Sequence, residues 1–269
     1  MFGRKKRKKA AEAAQRRAQS PADPTFMGWV RQQVAAEPYW FQKIELAPDL
    51  ITPGWSDPRT AKLPFFGLPE DLGGLRVLDV GCAEGYFSFE AERRGAREVV
   101  SVDSFPDSVR RFNLCRAALG SKATPYLCNV YDLNPKAFGT FDLVLFYGVL
   151  YHLRHPLLAL ERILSVCTGS MLLQTAIHED PAFSDTAMAK FVPHGAQSGL
   201  NKDADDKTFF DPTIFWLPNR ECVKAMVDHA GFVGVEVVSD DPRISIVLRA
   251  SSPRIAKGEP PDQMKAPWS

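Results

Sequence analysis

Residues 76–103 read RVLDVGCAEGYFSFEAERRGAREVVSVD, and this stretch decides the fold. Val77, Leu78 and Val80 are apolar and β-prone, as a parallel strand covered on both faces requires. Gly81 and Gly85 bracket a turn in which a missing Cβ lets a ligand approach the backbone. Phe87, Phe89 and Ala91 open a helix that runs to a stop at Gly95, with Glu90 and Glu92 on its wetter side. A second apolar run, Val99 to Val102, then ends on Asp103, about twenty residues past the glycines, where an open α/β sheet sets an acid against ribose hydroxyls. The order D-V-G-C-A-E-G is not the G-x-G-x-x-G of a dinucleotide site.

The same alternation continues outward. Pro106 and Asp107 open a helix through Leu119, stopped by Gly120. Thr124–Cys128 is a third strand, Phe141–Phe146 a fourth and Met171–Ile177 a fifth, with a helix over Pro156–Val166. Residues 178–215 read as irregular and polar. Asn219 caps a helix over Glu221–Ala230, and Val233–Val238 with Ile244–Leu248 form a closing hairpin. The pattern predicts an α/β fold: a seven-stranded, mostly parallel, doubly wound sheet with an antiparallel C-terminal hairpin. This domain spans 70–250, with 178–215 as an insertion or lid, a flexible tail at 251–269 and an aromatic, Pro-rich cover at 21–69. Within the cover, Gly28–Ala36 reads as a short helix and Ile44–Leu46 as a short strand. Trp40, Phe41, Trp55, Phe65 and Phe66 are expected to pack on the core or line a pocket.

Charge is unevenly placed. Residues 1–17 hold eight of the 33 basic residues and one of the 32 acidic ones, which leaves 25 basic against 31 acidic in the remainder. A basic tail at 1–20 thus precedes a mildly acidic body; it fits either a contact with nucleic acid or another anionic surface, or a solubilising terminus. No apolar h-region follows it, and no run of eighteen apolar residues occurs, which argues against a secretory signal and a membrane span. Five scattered cysteines without a C-x-x-C pair point to a reducing, cytoplasmic setting and to neither disulfides nor a metal.

VLDVGCAEG followed by VVSVD resembles the nucleotide-binding motifs of class I S-adenosylmethionine (SAM)-dependent methyltransferases. The resemblance implies SAM as cofactor and Asp79, Gly81, Cys82, Glu84 and Gly85 around its methionine end. It further implies Asp103 on the ribose, and Ser104, Phe105, Val130 and Tyr131 around the adenine, with Tyr147 nearby. Asp132 reads equally as a polar rim of that slot or as a helix N-cap.

A second stretch, GVLYHLRHPL, leaves the carboxyl end of the fourth strand, where ligands bind in such sheets. It carries Tyr151 and His152, which either accept and orient a proton of the acceptor or hold the loop. Together with ITPGWSDPR upstream and IFWLPNRECVKAMVDHAGF downstream, it resembles the tRNA wobble-uridine (5-hydroxyuridine) methyltransferase and carboxymethyltransferase family. That resemblance implies Tyr151 in the active site, Arg243 near donor or substrate, and Trp55 and Arg59 in the segment covering the donor. Members that use carboxy-SAM grip its extra carboxylate partly with lysines. Here Arg59 stands near one such position, while the other falls among Trp40, Phe41 and Gln42. An unpaired carboxylate in a closed site is costly, so plain SAM is the expected donor. The acceptor is then tRNA or a small hydroxylated molecule.

Overall fold

The computed structural model describes residues 24–193, 213–241 and 245–254. The basic tail, residues 194–212 of the irregular segment, most of the C-terminal tail and Arg243 lie outside the described residues. The cover holds α1 (Pro24–Ala36), the paired strands β1 (Glu45–Ala47) and β2 (Leu50–Ile51), and α2 (Pro58–Ala61). Strands and helices then alternate: β3 (Arg76–Val80), α3 (Tyr86–Arg93), β4 (Glu98–Asp103), α4 (Pro106–Leu119) and β5 (Thr124–Leu127). After α5 (Pro135–Phe138) come β6 (Phe141–Tyr147), α6 (Pro156–Val166) and β7 (Cys167–Ala176). A small pair, β8 (Ala189–Phe191) and β9 (Trp216–Pro218), precedes α7 (Arg220–His229), β10 (Val233–Asp241) and β11 (Ser245–Ser251).

Seven strands form one sheet in the order β10-β11-β7-β6-β3-β4-β5. The pairs from β5 to β7 are parallel, and β11 runs antiparallel to both β7 and β10. The chain winds outward from β3 through β4 to β5, then crosses back to β6 on the other flank of β3. The switch point therefore lies between β3 and β6, and a crevice opens outside their carboxyl ends. Alternate residues feed two cores: Leu78, Val144 and Phe146 pack with α6, while Val77, Leu143 and Leu145 pack with Phe87 and Phe112.

Several elements differ from the sequence reading. The cover helix reaches N-terminal of Gly28, at least to Pro24, and Phe26, Val30 and Val34 at four-residue spacing bury against Cys115 and Ala118 of α4. The fifth strand begins at Cys167 because α6 runs into it without a loop. Part of 178–215 is regular, since Ala189–Phe191 finds its pairing partner at Trp216–Pro218. Glu90 is buried rather than wet: its carboxylate accepts from Arg93 and from Arg94, and Arg94 also donates to the carbonyls of Leu68 and Pro69. The cover aromatics divide, with Trp40 and Phe66 buried and Trp55 and Phe65 exposed. No helix among the described residues is long and apolar enough to cross a membrane.

Candidate functional site

The carboxyl ends of four strands make one continuous edge. At β3, the N–H groups of Gly81 and Cys82 donate to the Val102 carbonyl at 2.8 and 3.2 Å, tying the turn to the end of β4. There the Asp103 carboxylate accepts from Ala83 N at 3.0 Å through Oδ2 and from Phe105 N at 2.9 Å through Oδ1. Each oxygen keeps a second acceptor direction. Burial pushes the Asp103 carboxyl above its ordinary range, and the backbone N–H groups of Phe105 and Ala83 oppose that shift. Hydroxyl donors arriving at those oxygens would compensate a carboxylate short of water. Phe105 stands 61% exposed beside it, an apolar face at the mouth of the expected adenine slot. The N–H of Cys128 donates to the Asp103 carbonyl, bringing Val130 and the turn after β5 alongside.

Gly81 has φ 72°, and a Cβ there would lie 2.3 Å from Cγ2 of Val149. The first turn thus touches the loop after β6. In that loop Gly148 donates its N–H to the Gln174 carbonyl at 2.9 Å. The position of a Cβ on Gly148 would lie 3.6 Å from Gln174 Oε1 and 3.8 Å from the Tyr151 hydroxyl. The Tyr151 ring packs against Val192, Ile214 and Leu217, and its carbonyl accepts from Phe215 N at 2.9 Å. His152 lies beside it, ring centroids 4.0 Å apart, with Nδ1 and Thr213 Oγ1 sharing a 2.8 Å hydrogen bond. The row therefore runs Ser104, Asp103, Gly81, Val149, Tyr151.

Other expected site residues have protein partners. Glu84 is fully buried, and its two oxygens accept from the N–H groups of Phe41 and Gln42 at 3.0 and 3.1 Å, with Arg111 Nε 3.2 Å away. Tyr147 is buried between Phe66 and Phe87 and donates its hydroxyl to the Phe66 carbonyl. Cys82 is buried, which raises its thiol pKa, and Sγ turns toward the Ala83 carbonyl. Gly85 has φ 102° and lies against Phe112 and Phe89. The Tyr131 hydroxyl accepts from His155 N at the entry to α6. Asp132 caps nothing; Asn129 and Asn134 are the N-caps on either side of it.

Asp79 is buried on β3 and accepts from Ser88 Oγ at 2.6 Å, and that hydroxyl also bonds Ser101. Burial pushes its pKa from 3.8 up to about 7, with the nearby Asp103 charge adding to the rise. The folded chain holds this proton more tightly than the unfolded chain, so stability falls as pH rises from about 4 to about 7 and stays reduced above. Asp79→Asn removes that titration. The variant is expected to exceed wild type in stability by up to about 4 kcal/mol at pH 8, with the gap closing toward pH 4. Urea midpoints at pH 5, 6.5 and 8 measure it; a gap that does not widen with pH contradicts the assignment.

Three residues near the site escaped the sequence reading. Arg111 reaches Glu84 from α4, where helical spacing gives no hint of a partner in another element. Lys62 sits 4.7 Å over the Phe41 ring; burial lowers its pKa to about 8 and the Glu84 charge works against that. Gln174 was legible in principle, as a polar residue inside the apolar strand MLLQTAI, close to its carboxyl end.

A family described as "Methyltransferase domain" matches residues 39–237. The tRNA U34 carboxymethyltransferase of Enterobacter sp. (strain 638) is 27% identical over 169 residues, covering 62% of this chain and 47% of the relative. That of Geobacter sp. (strain M21) is 28% identical over 171 residues, covering 63% and 48%. The chain therefore spans about half the length of the curated relatives it matches. Among solved structures, the N-terminal domain of EvdMO1 in the presence of SAH and D-fucose aligns with TM-score 0.62 and 21% identity, over 84% of this chain and 96% of that one. The [4+2]-cyclase SpnF aligns with TM-score 0.51 and 15% identity, over 67% and 76%.

Proposed function

Because the chain belongs to the methyltransferase-domain family, we propose that it transfers a methyl group from SAM to 5-hydroxyuridine at the tRNA wobble position. The family and the seven-stranded sheet make it a class I SAM-dependent methyltransferase. One observation carries the finer reading: the Tyr151 loop, whose motif resembles the tRNA wobble-uridine family, touches the Gly81 turn through Val149. The names of the tRNA U34 relatives support the acceptor. The same fold also hosts the cyclase SpnF, so architecture alone does not argue for tRNA.

The residues present fit SAM. Gly81 leaves the turn without a Cβ, Asp103 offers two oxygens to ribose hydroxyls, and Phe105 offers an apolar face to adenine. SAM supplies a methyl group already activated by its sulfonium. The protein's part is to hold the acceptor oxygen in line at near-attack distance, which the close approach of Gly81 and the Tyr151 loop serves. Tyr151 accepts or orients the acceptor proton, and His152, fixed by Thr213, supports that ring. Tyr151→Phe is expected to lower kcat about tenfold to a hundredfold with SAM affinity retained. Equal loss of turnover and of affinity in calorimetry contradicts that role.

Plain SAM rather than carboxy-SAM remains the proposed donor. Trp40 is turned into the cover with Nε1 on the Val34 carbonyl, Gln42 accepts from Tyr86 N, and Arg59 is exposed and pairs with Glu45. Lys62 is a cation in this region, and its charge faces Glu84. A second reading, methylation of a hydroxylated metabolite or sugar in the cytosol, draws on the acidic body of 25 basic against 31 acidic residues and on the sugar present with EvdMO1. Mass spectrometry of nucleosides and metabolites after incubation with labelled SAM separates them. Label in a tRNA nucleoside is expected; label only in a small molecule overturns the tRNA reading.

A further inference from the structure

At the carboxyl end of β7, Gln174 presents a side-chain amide with no hydrogen-bond partner among the described residues, although the residue is half-buried. Its neighbours Leu173 and Thr175, whose side chains point to the opposite face of the sheet, are fully buried. The amide adds no hydrogen bond to the fold, and replacing it with an apolar group of similar shape is neutral or favourable for folding alone. Its backbone is well used, accepting from Gly148 and pairing β7 with Val247 of β11, so the chain fixes where the side chain begins. Oε1 and the Tyr151 hydroxyl lie 3.6 and 3.8 Å from one point, the site of a Cβ that Gly148 lacks. Glycine there, with φ 73°, keeps a notch open between two neutral polar groups.

We infer that Gln174 is the acceptor-reading residue of this enzyme: with the Tyr151 hydroxyl it binds, across the Gly148 notch, a neutral acceptor that carries two oxygens on adjacent carbons, one of which is methylated. The inference rests on the donor lying over Gly81 and Asp103, as proposed above. A carboxamide both donates and accepts, and a phenol does the same, so the pair matches a hydroxyl beside a carbonyl or a second hydroxyl. The pair itself carries no charge, which suits a neutral acceptor. A 5-hydroxyuracil ring meets this description through its hydroxyl and adjacent carbonyl, and a sugar cis-diol meets it as well. The class is set by the pair; the source is for experiment to decide.

Gln174→Leu and the unbranched Gln174→Met test it. Both are assayed with SAM on an anticodon stem–loop carrying 5-hydroxyuridine and on free cis-diol sugars; binding of the same probes to SAH-loaded protein is read by calorimetry. In whichever arm turns over, both variants are expected to raise KM about tenfold or more for loss of hydrogen bonds to the acceptor. SAH affinity and Tm should be unchanged, or Tm raised. Turnover only of a sugar, with KM raised in the variants, keeps this inference and rejects the tRNA reading. Three results overturn the inference: unchanged KM in both variants, a fall in Tm with both, or no binding of either probe to the SAH-loaded wild type.

Discussion

Gly81→Val is expected to abolish SAH binding, with affinity reduced at least a hundredfold, and to lower the melting temperature. Two independent costs meet at this position. Its φ of 72° is left-handed, which costs an L-residue about 1–2 kcal/mol, and a β-branched side chain tolerates it worst. The added Cβ would also stand 2.3 Å from Cγ2 of Val149, and overpacking of this kind costs about 1–3 kcal/mol more. Relief comes by turning or shifting Val149, and a shift of its backbone carries Leu150 and Tyr151 with it. Gly81→Ala meets the same φ penalty and the same Cβ contact but lacks the two γ-methyls of valine, so rotation of Val149 relieves more of the overlap. The expected order of SAH affinity is wild type, alanine, valine. A valine variant that binds SAH within threefold of wild type would show that the turn does not face the donor.

The turn and the sheet were readable because both are local. Strand and helix periods, the proline and glycine stops, and the acid at the end of β4 all lie within one or two elements of one another. Helix boundaries such as Pro106–Leu119 and Pro156–Val166 followed from first-turn prolines and coincide with the structure. What stayed hidden depends on partners far along the chain. Glu84 sits in the motif that binds the donor in the resembling family, yet its oxygens meet N–H groups 43 and 42 residues earlier. Tyr147 ends a buried strand, and only the fold shows that its alternation turns the hydroxyl toward Phe66, 81 residues away. Glu90 looked wet on the helical wheel because Arg94, one turn later, serves as surface charge in the pattern but closes over Leu68 and Pro69 in space. Among short strands, three residues at Ala189–Phe191 carry too little pattern to announce a partner at Trp216–Pro218.

The Glu84 arrangement gives the motif a second task, joining the cover to the turn. Its carboxylate satisfies two backbone donors of the cover, and Gln42 answers by accepting from Tyr86 N at the start of α3. Arg111, 9% exposed, approaches the same carboxylate from α4 and reaches Glu37 only at 3.9 Å. Removing Glu84 therefore strands a buried guanidinium and two backbone N–H groups at once. Breaking one side of such a pair typically costs about 3–5 kcal/mol, a large share of a total stability near 5–15 kcal/mol. Glu84→Ala is expected to lose that much in urea denaturation, about 10 °C in Tm for a domain of this size, and to weaken SAH binding as the cover loosens over the turn. Glu84→Gln should fall between, since one of its two terminal groups becomes a donor facing donors. The double variant Glu84→Met, Arg111→Met is expected to recover part of the loss, because the stranded charge is gone, without restoring the bonds to Phe41 and Gln42. Stability lost additively in the double variant would show that the two residues are not coupled. Wild-type SAH affinity in Glu84→Ala would show that the cover is not held to the donor turn through this carboxylate.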